Sequence, residues 1–241
     1  MSSDKVHNQC QYAQCSSVLR EFLHLPGYPV AVGFAHAAED IPEVLEELSE
    51  KMRHCQMVGI VRDEGKSFFA TREVHSCAGG AWSLGLAALT KSLRSGEFYF
   101  KLGKFESAAS CKRTMTHVPA LESESVYATM YAPLENTPFV PAVVVLSAEP
   151  AFLLKLAQAY LFRLGGRIES SFAGIQSLCA DTTVFPYISG NVNISLGCDG
   201  SRKYSGIGKE YMVAGIPIEI LPDIVAALPI VSSAPGSSTT L

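Results

Sequence analysis

Seven cysteines punctuate the 241-residue chain, and four of them have surroundings suited to holding a ligand. Cys77 stands directly before Ala78-Gly79-Gly80, which reads as a glycine-rich helix start. Free backbone N–H groups and the helix dipole at such a start favour an anionic thiolate. Cys198 lies within Leu196-Gly197-Cys198-Asp199-Gly200-Ser201-Arg202-Lys203. There Gly197 and Gly200 let backbone amides approach a sulfur-bound group, and Arg202 and Lys203 offset its negative charge. The same context suits a reactive thiol. Cys55 introduces an apolar stretch, and Cys179 closes a small-residue segment as Cys179-Ala180-Asp181. Core packing competes with all of these readings, because free cysteine is among the most buried residue types.

No Cys-x-x-Cys occurs, which excludes a zinc ribbon, a thioredoxin-like motif and a ferredoxin-type cluster run. Any metal site must therefore be assembled from distant loops. Cys10 and Cys15 fall in an amino-terminal segment expected to be mobile, and Cys111 lacks glycine neighbours, so these three are read as non-ligands. His54 and His75 adjoin the cysteines closely enough to leave a mixed Cys/His zinc site open. The chain contains no Gly-x-Ser-x-Gly elbow, no phosphate-binding loop and no His-Glu-x-x-His, so common hydrolase and nucleotide-binding readings lack support. Gly206-x-Gly208 lacks the third glycine of a dinucleotide fingerprint.

The elements that must position these residues are those of one globular domain over residues 19–230, with an extension at 1–18 and a disordered tail at 231–241. The composition is 48% hydrophobic and 17% charged with net charge −4, which provides no basic field for nucleic acid. No secretory signal and no membrane-spanning stretch are legible, and an odd cysteine count argues against a disulfide framework. A cytoplasmic protein with reduced thiols is expected, its apolar surface leaving room for a homodimer.

Periodicity predicts a short helix from Ser16, a strand over Val30–Phe34, and an acidic helix from Asp40 to near Arg53 carrying Glu43, Glu46, Glu47 and Glu50 as a solvated face. Met57 to Thr71 reads as a small β or mixed unit. The β-branched run Ala142–Leu146 is the clearest buried strand, Pro150 starts a helix that Gly165-Gly166 stops, and a strand near Gly215–Ile220 precedes a last helix. The fold class is α/β or α+β, with mixed sheets and flanking helices. Its alternation of elements suggests two pseudo-repeated halves, 19–135 and 136–230, each with two of the four cysteines.

Taken in order, Cys55, Cys77-Ala78-Gly79-Gly80, Tyr131-Ala132-Pro133-Leu134, Cys179-Ala180-Asp181 before Pro186, and Ser195 to Lys203 around Cys198 resemble the domain of unknown function 169 family. The resemblance covers about Leu19 to Leu228. It implies an ancient cytoplasmic protein, found mainly in anaerobic bacteria and archaea, whose four recurring cysteines are Cys55, Cys77, Cys179 and Cys198. It implies no substrate. Four thiolates suit a [4Fe–4S] cluster or a structural Zn²⁺, and the small residues around them with the anaerobic habitat favour the cluster. The expected function is iron–sulfur binding with a redox role, electron transfer or small-molecule reduction. A zinc or partner-binding module and a thiol enzyme using Cys77 or Cys198 stand as alternatives.

Overall fold

The computed structural model describes residues 3–234, with side chains from residue 11 onward. Its ten α-helices are α1 (Ser3–Leu23), α2 (His54–Glu64), α3 (Ala78–Ser83), α4 (Lys91–Arg94), α5 (Glu97–Lys101), α6 (Ala108–Met115), α7 (Pro150–Leu161), α8 (Phe185–Ser189), α9 (Asp199–Tyr204) and α10 (Leu221–Ser233). The strands are β1 (Val30–Ala35), β2 (Phe68–Thr71), β3 (Ala128–Pro133), β4 (Val143–Ala148), β5 (Asn193–Ser195) and β6 (Met212–Pro217). They form one sheet in the order β2-β3-β1-β4-β6-β5. Among the described residues every pairing between strands is antiparallel, and parallel pairing occurs only at two isolated bridges, Glu47 with Phe69 and Met52 with His75.

The sheet is covered on both faces, so its central strands are apolar at consecutive positions rather than alternately. Val144 and Leu146 face one layer with Leu19 and Leu23 of α1, Leu153 and Leu156 of α7, and Ile224 and Leu228 of α10. Val143 and Val145 face the other, with Met57, Val58 and Val61 of α2 and with Leu178. Strand pleating sends neighbouring side chains to opposite layers, which is why Ala142–Leu146 reads as an unbroken β-branched run. Helices α3 to α6 form a smaller lobe around Trp82, Leu93, Cys111 and Met115.

From the centre outward the strands run β1, β3, β2 on one side and β4, β6, β5 on the other. On both sides the first residue of the inner strand pairs with the proline that ends the returning strand, Val30 with Pro133 and Val143 with Pro217. Each proline then leads into one turn of 3₁₀-helix, Leu134–Asn136 and Ile218–Ile220. The likeness is one of strand order and register, and residue identity between the halves is slight.

Four expectations need correction. The helix foreseen from Ser16 begins at Ser3, and Cys15 is buried in the core rather than on a mobile arm. No α-helix spans residues 40–53. That run is extended along the edge of β2 and the 3₁₀ turn after it, where Leu48 N–H donates to Phe69 O and Met52 N–H to Val74 O. It satisfies edge groups that a helix would leave bare. The apolar stretch from Met57 is helical, because Met57, Val58 and Val61 lie on the one face that α2 turns to the sheet. At the other end α10 continues through residues 231–233, and residues 235–241 lie outside the described part.

Candidate functional site: a cysteine-lined cavity

The six described cysteines are free thiols, and the four singled out by sequence line one cavity of about 360 Å³. Four separate elements deliver them. Cys55 is in the first turn of α2, Cys77 is the residue before α3, Cys179 lies in a π-helical segment (Ser177–Val184), and Cys198 is the residue before α9. The π-helical turn is held by Thr183, whose hydroxyl donates to Leu178 O at 2.7 Å and competes with regular helical bonding. Cys198 and Ser201 cap each other, Cys198 N–H donating to Ser201 Oγ at 2.8 Å and Ser201 N–H to Cys198 Sγ at 3.4 Å.

The predicted glycines distribute unequally. Gly80 sits between two thiols, since a Cβ there would stand 3.8 Å from both Cys77 Sγ and Cys179 Sγ. Gly200 lies against Cys198 Sγ, and its carbonyl accepts from the Cys55 thiol at 3.9 Å. Gly79 backs onto Gln176, and Gly197 onto the Arg202 side chain. Of the two predicted cations, Lys203 lines the cavity and lies over the Tyr204 ring at 5.2 Å. Arg202 does not line it. Its guanidinium donates to the carbonyls of Leu196, Gly208 and Tyr211, so it clamps the loop that carries Cys198. Arg53, which sequence reading passed over, takes its place at the cavity, stacked at 4.3 Å over Tyr204. Its position two residues before Cys55 was the available signal.

Burial keeps two of the thiols protonated. Desolvation, then the neighbouring Cys198 and Cys77 sulfurs, push Cys55 up to about 12, partly opposed by Arg53. Desolvation and the other three sulfurs raise Cys179 well above the ordinary thiol range. Neither is an activated nucleophile, because a thiol reacts as its anion. Among the described residues, no group of three or more His, Cys, Asp or Glu closes around a single point tightly enough to hold a metal ion.

A buried polar layer lies behind the cavity. His54 has both ring nitrogens engaged, Nδ1 with Tyr131 Oη at 2.8 Å and Nε2 with Thr183 Oγ1 at 3.1 Å, so neither is free to ligate. His75 Nε2 meets Thr129 Oγ1 at 3.0 Å. Ser195 Oγ donates to Asp181 Oδ2 at 2.8 Å, and burial pushes that carboxyl up to about 7. Desolvation holds both buried imidazoles neutral, down to about 3. In the unfolded chain they take up protons below about pH 6.5, and in the folded protein only near pH 3. The two imidazoles therefore absorb protons on unfolding between those values, outweighing the one proton that the raised Asp181 carboxyl releases there, so stability should fall as pH drops through that window. Urea midpoints of the metal-free protein at pH 7.0, 6.0 and 5.0 should decrease in turn, and less steeply in His54→Gln; equal slopes would place the acid sensitivity elsewhere.

No helix among the described residues is long and apolar enough to cross a membrane. No solved structure matches the chain. An uncharacterised protein, MJ0308, from Methanocaldococcus jannaschii is 44% identical over 211 residues, covering 87% of this chain and 90% of that protein. The profile of the domain of unknown function 169 family, described as uncharacterised ArCR, matches residues 18–227, and the chain belongs to that family.

Proposed function

We propose that the protein binds an iron–sulfur cluster through Cys55, Cys77, Cys179 and Cys198 and has a redox role. The observation that carries this reading is the convergence of four thiols, from four elements spread over the sequence, on one cavity. Core packing alone has no need for such convergence. Cys15 and Cys111 are buried thiols too, and neither lines the cavity.

The donor set suits either centre, and the room between the thiols favours a cluster over zinc. A structural Zn²⁺ needs four ligands within about 2.3 Å of one point. Here the thiols surround a cavity of about 360 Å³ instead of closing on one another. Cys55, Cys77, Cys179 and Cys198 would hold a polynuclear iron–sulfide centre as thiolates. It would supply one-electron storage, with a potential set by charge, hydrogen bonding and exposure. The chain's own contributions follow from its residues. Arg53 offsets negative charge at Cys55, Ser201 N–H donates to Cys198 Sγ, and the small residue at Gly80 leaves room between Cys77 and Cys179. Free thiols of this kind fit a reducing, cytoplasmic setting.

Purification without oxygen, followed by visible absorption and assays of iron, acid-labile sulfide and zinc, tests the reading. The expected result is a brown protein with about four irons and four sulfides per chain. Colourless protein with about one zinc per chain would overturn it in favour of a structural site.

A further inference from the structure

The cavity has a polar feature that the thiols do not account for. Gln176 is 4% exposed and lines the cavity, yet its Oε1 has no hydrogen-bond partner. Its Nε2 donates to Tyr99 Oη at 3.1 Å, which fixes the amide plane. The backbone is strained to present it, with φ of 54° at a non-glycine residue. Gly79 leaves the space, since a Cβ there would stand 2.7 Å from Gln176 Nε2. An acceptor buried without a donor is costly, and natural sites retain one where a ligand completes it. The cavity's charged lining is Arg53, Lys104, Lys203 and Asp199. Asp199 is paired with Lys104, which leaves Arg53 and Lys203 facing Tyr204 without a carboxylate partner among the described residues.

We propose that this part of the cavity is a recognition subsite for a small hydroxycarboxylate, its hydroxyl donating to Gln176 Oε1 and its carboxylate held by Arg53 and Lys203. The two unpaired cations select an anion. They also disfavour an ammonium group as the donor, so the donor is neutral, and a hydroxyl is the smallest one that a carboxylate ligand can carry. The subsite deepens the cluster reading by naming a substrate class for the same cavity, but its recognition atoms belong to the chain and do not require that the cluster exist.

The test is calorimetric titration of the anaerobically purified protein with L-malate and with succinate, which differ by one hydroxyl, alongside iron and sulfide assays on the same samples. Malate should bind about tenfold more tightly, because succinate leaves the buried acceptor unpaired. Gln176→Leu should erase that preference. Gln176→Asn, which tolerates the positive φ better but withdraws the amide, should erase it too, and guards against a folding defect in the leucine variant. Equal affinities in the wild type, no binding of either acid, or a preference that survives in both folded variants would overturn the subsite. Absence of iron with the malate preference intact would overturn the cluster reading alone.

Discussion

Gly215→Ala should destabilise the protein by about 3 kcal/mol, lowering its melting temperature by roughly 6–12 °C. Gly215 sits in β6, paired with Val145 on one side and Asn193 on the other, so the strand is pinned from both edges. A Cβ at this position would stand 2.0 Å from Thr182 O and 2.7 Å from Pro186 Cγ. The first of these is backbone of the π-helical segment that holds Cys179, and it cannot swing aside as a flexible side-chain end would. Relief requires the whole turn to lift from the sheet. That movement would disturb the His54 contact with Thr183. Gly200→Ala provides the contrast. Its Cβ would meet only Cys198 Sγ, at the ordinary contact distance of 3.8 Å, so the fold should tolerate it within about 1 kcal/mol. Thermal unfolding followed by circular dichroism separates the two. A Gly215→Ala protein melting with the wild type would mean that the π-helical segment does not press on β6.

This dependence of one cysteine on a glycine far along the chain shows where sequence reading reached its limit. Strands β1, β4 and β6 and helix α7 were legible, because apolar runs rich in β-branched residues and a Pro-started, glycine-stopped helix are local signals. The stretch 40–53 misled. Its Val44, Leu45, Leu48 and Met52 match a helical period, but the open edge of β2 recruits the backbone instead, leaving Val44 74% exposed. An edge left by a strand that comes later in the chain is not visible in the segment's own periodicity. Helix α2 was misread for a related reason, since four apolar residues bounded by polar ones suit a buried strand as well as the inner face of a helix. Within the site, the four cysteines and Lys203 were found from their contexts. Arg202 was misassigned because residue type and position cannot tell a cation that faces a ligand from one whose guanidinium holds three loop carbonyls. Gln176 and Tyr99 carried no local signal. Only the fold brings residues so far apart in sequence within hydrogen-bond reach.

The largest expected effect on the proposed centre comes from the cysteines themselves. Cys55→Ser, Cys77→Ser, Cys179→Ser and Cys198→Ser should each reduce bound iron from about four per chain to below about one, because a serine hydroxyl is a much poorer iron ligand than a thiolate. Cys15→Ser and Cys111→Ser are the informative controls. Both residues are as buried as Cys179, at 4% and 0% exposed against 8%, so a hydroxyl at either site carries a similar desolvation cost. Under the cluster reading the controls lose stability and keep their iron, whereas the four cavity variants lose iron out of proportion to any change in stability. Cys179 should be the most sensitive position, since its thiol is deepest and the other three sulfurs all act on it. Metal bound there supplies the positive charge that lets a thiolate exist so far from water. Iron content that follows thermal stability across all six variants would reduce the four cysteines to core residues. Full iron retention in any two of the four cavity variants would exclude those two as ligands and leave too few thiolates for the proposed centre.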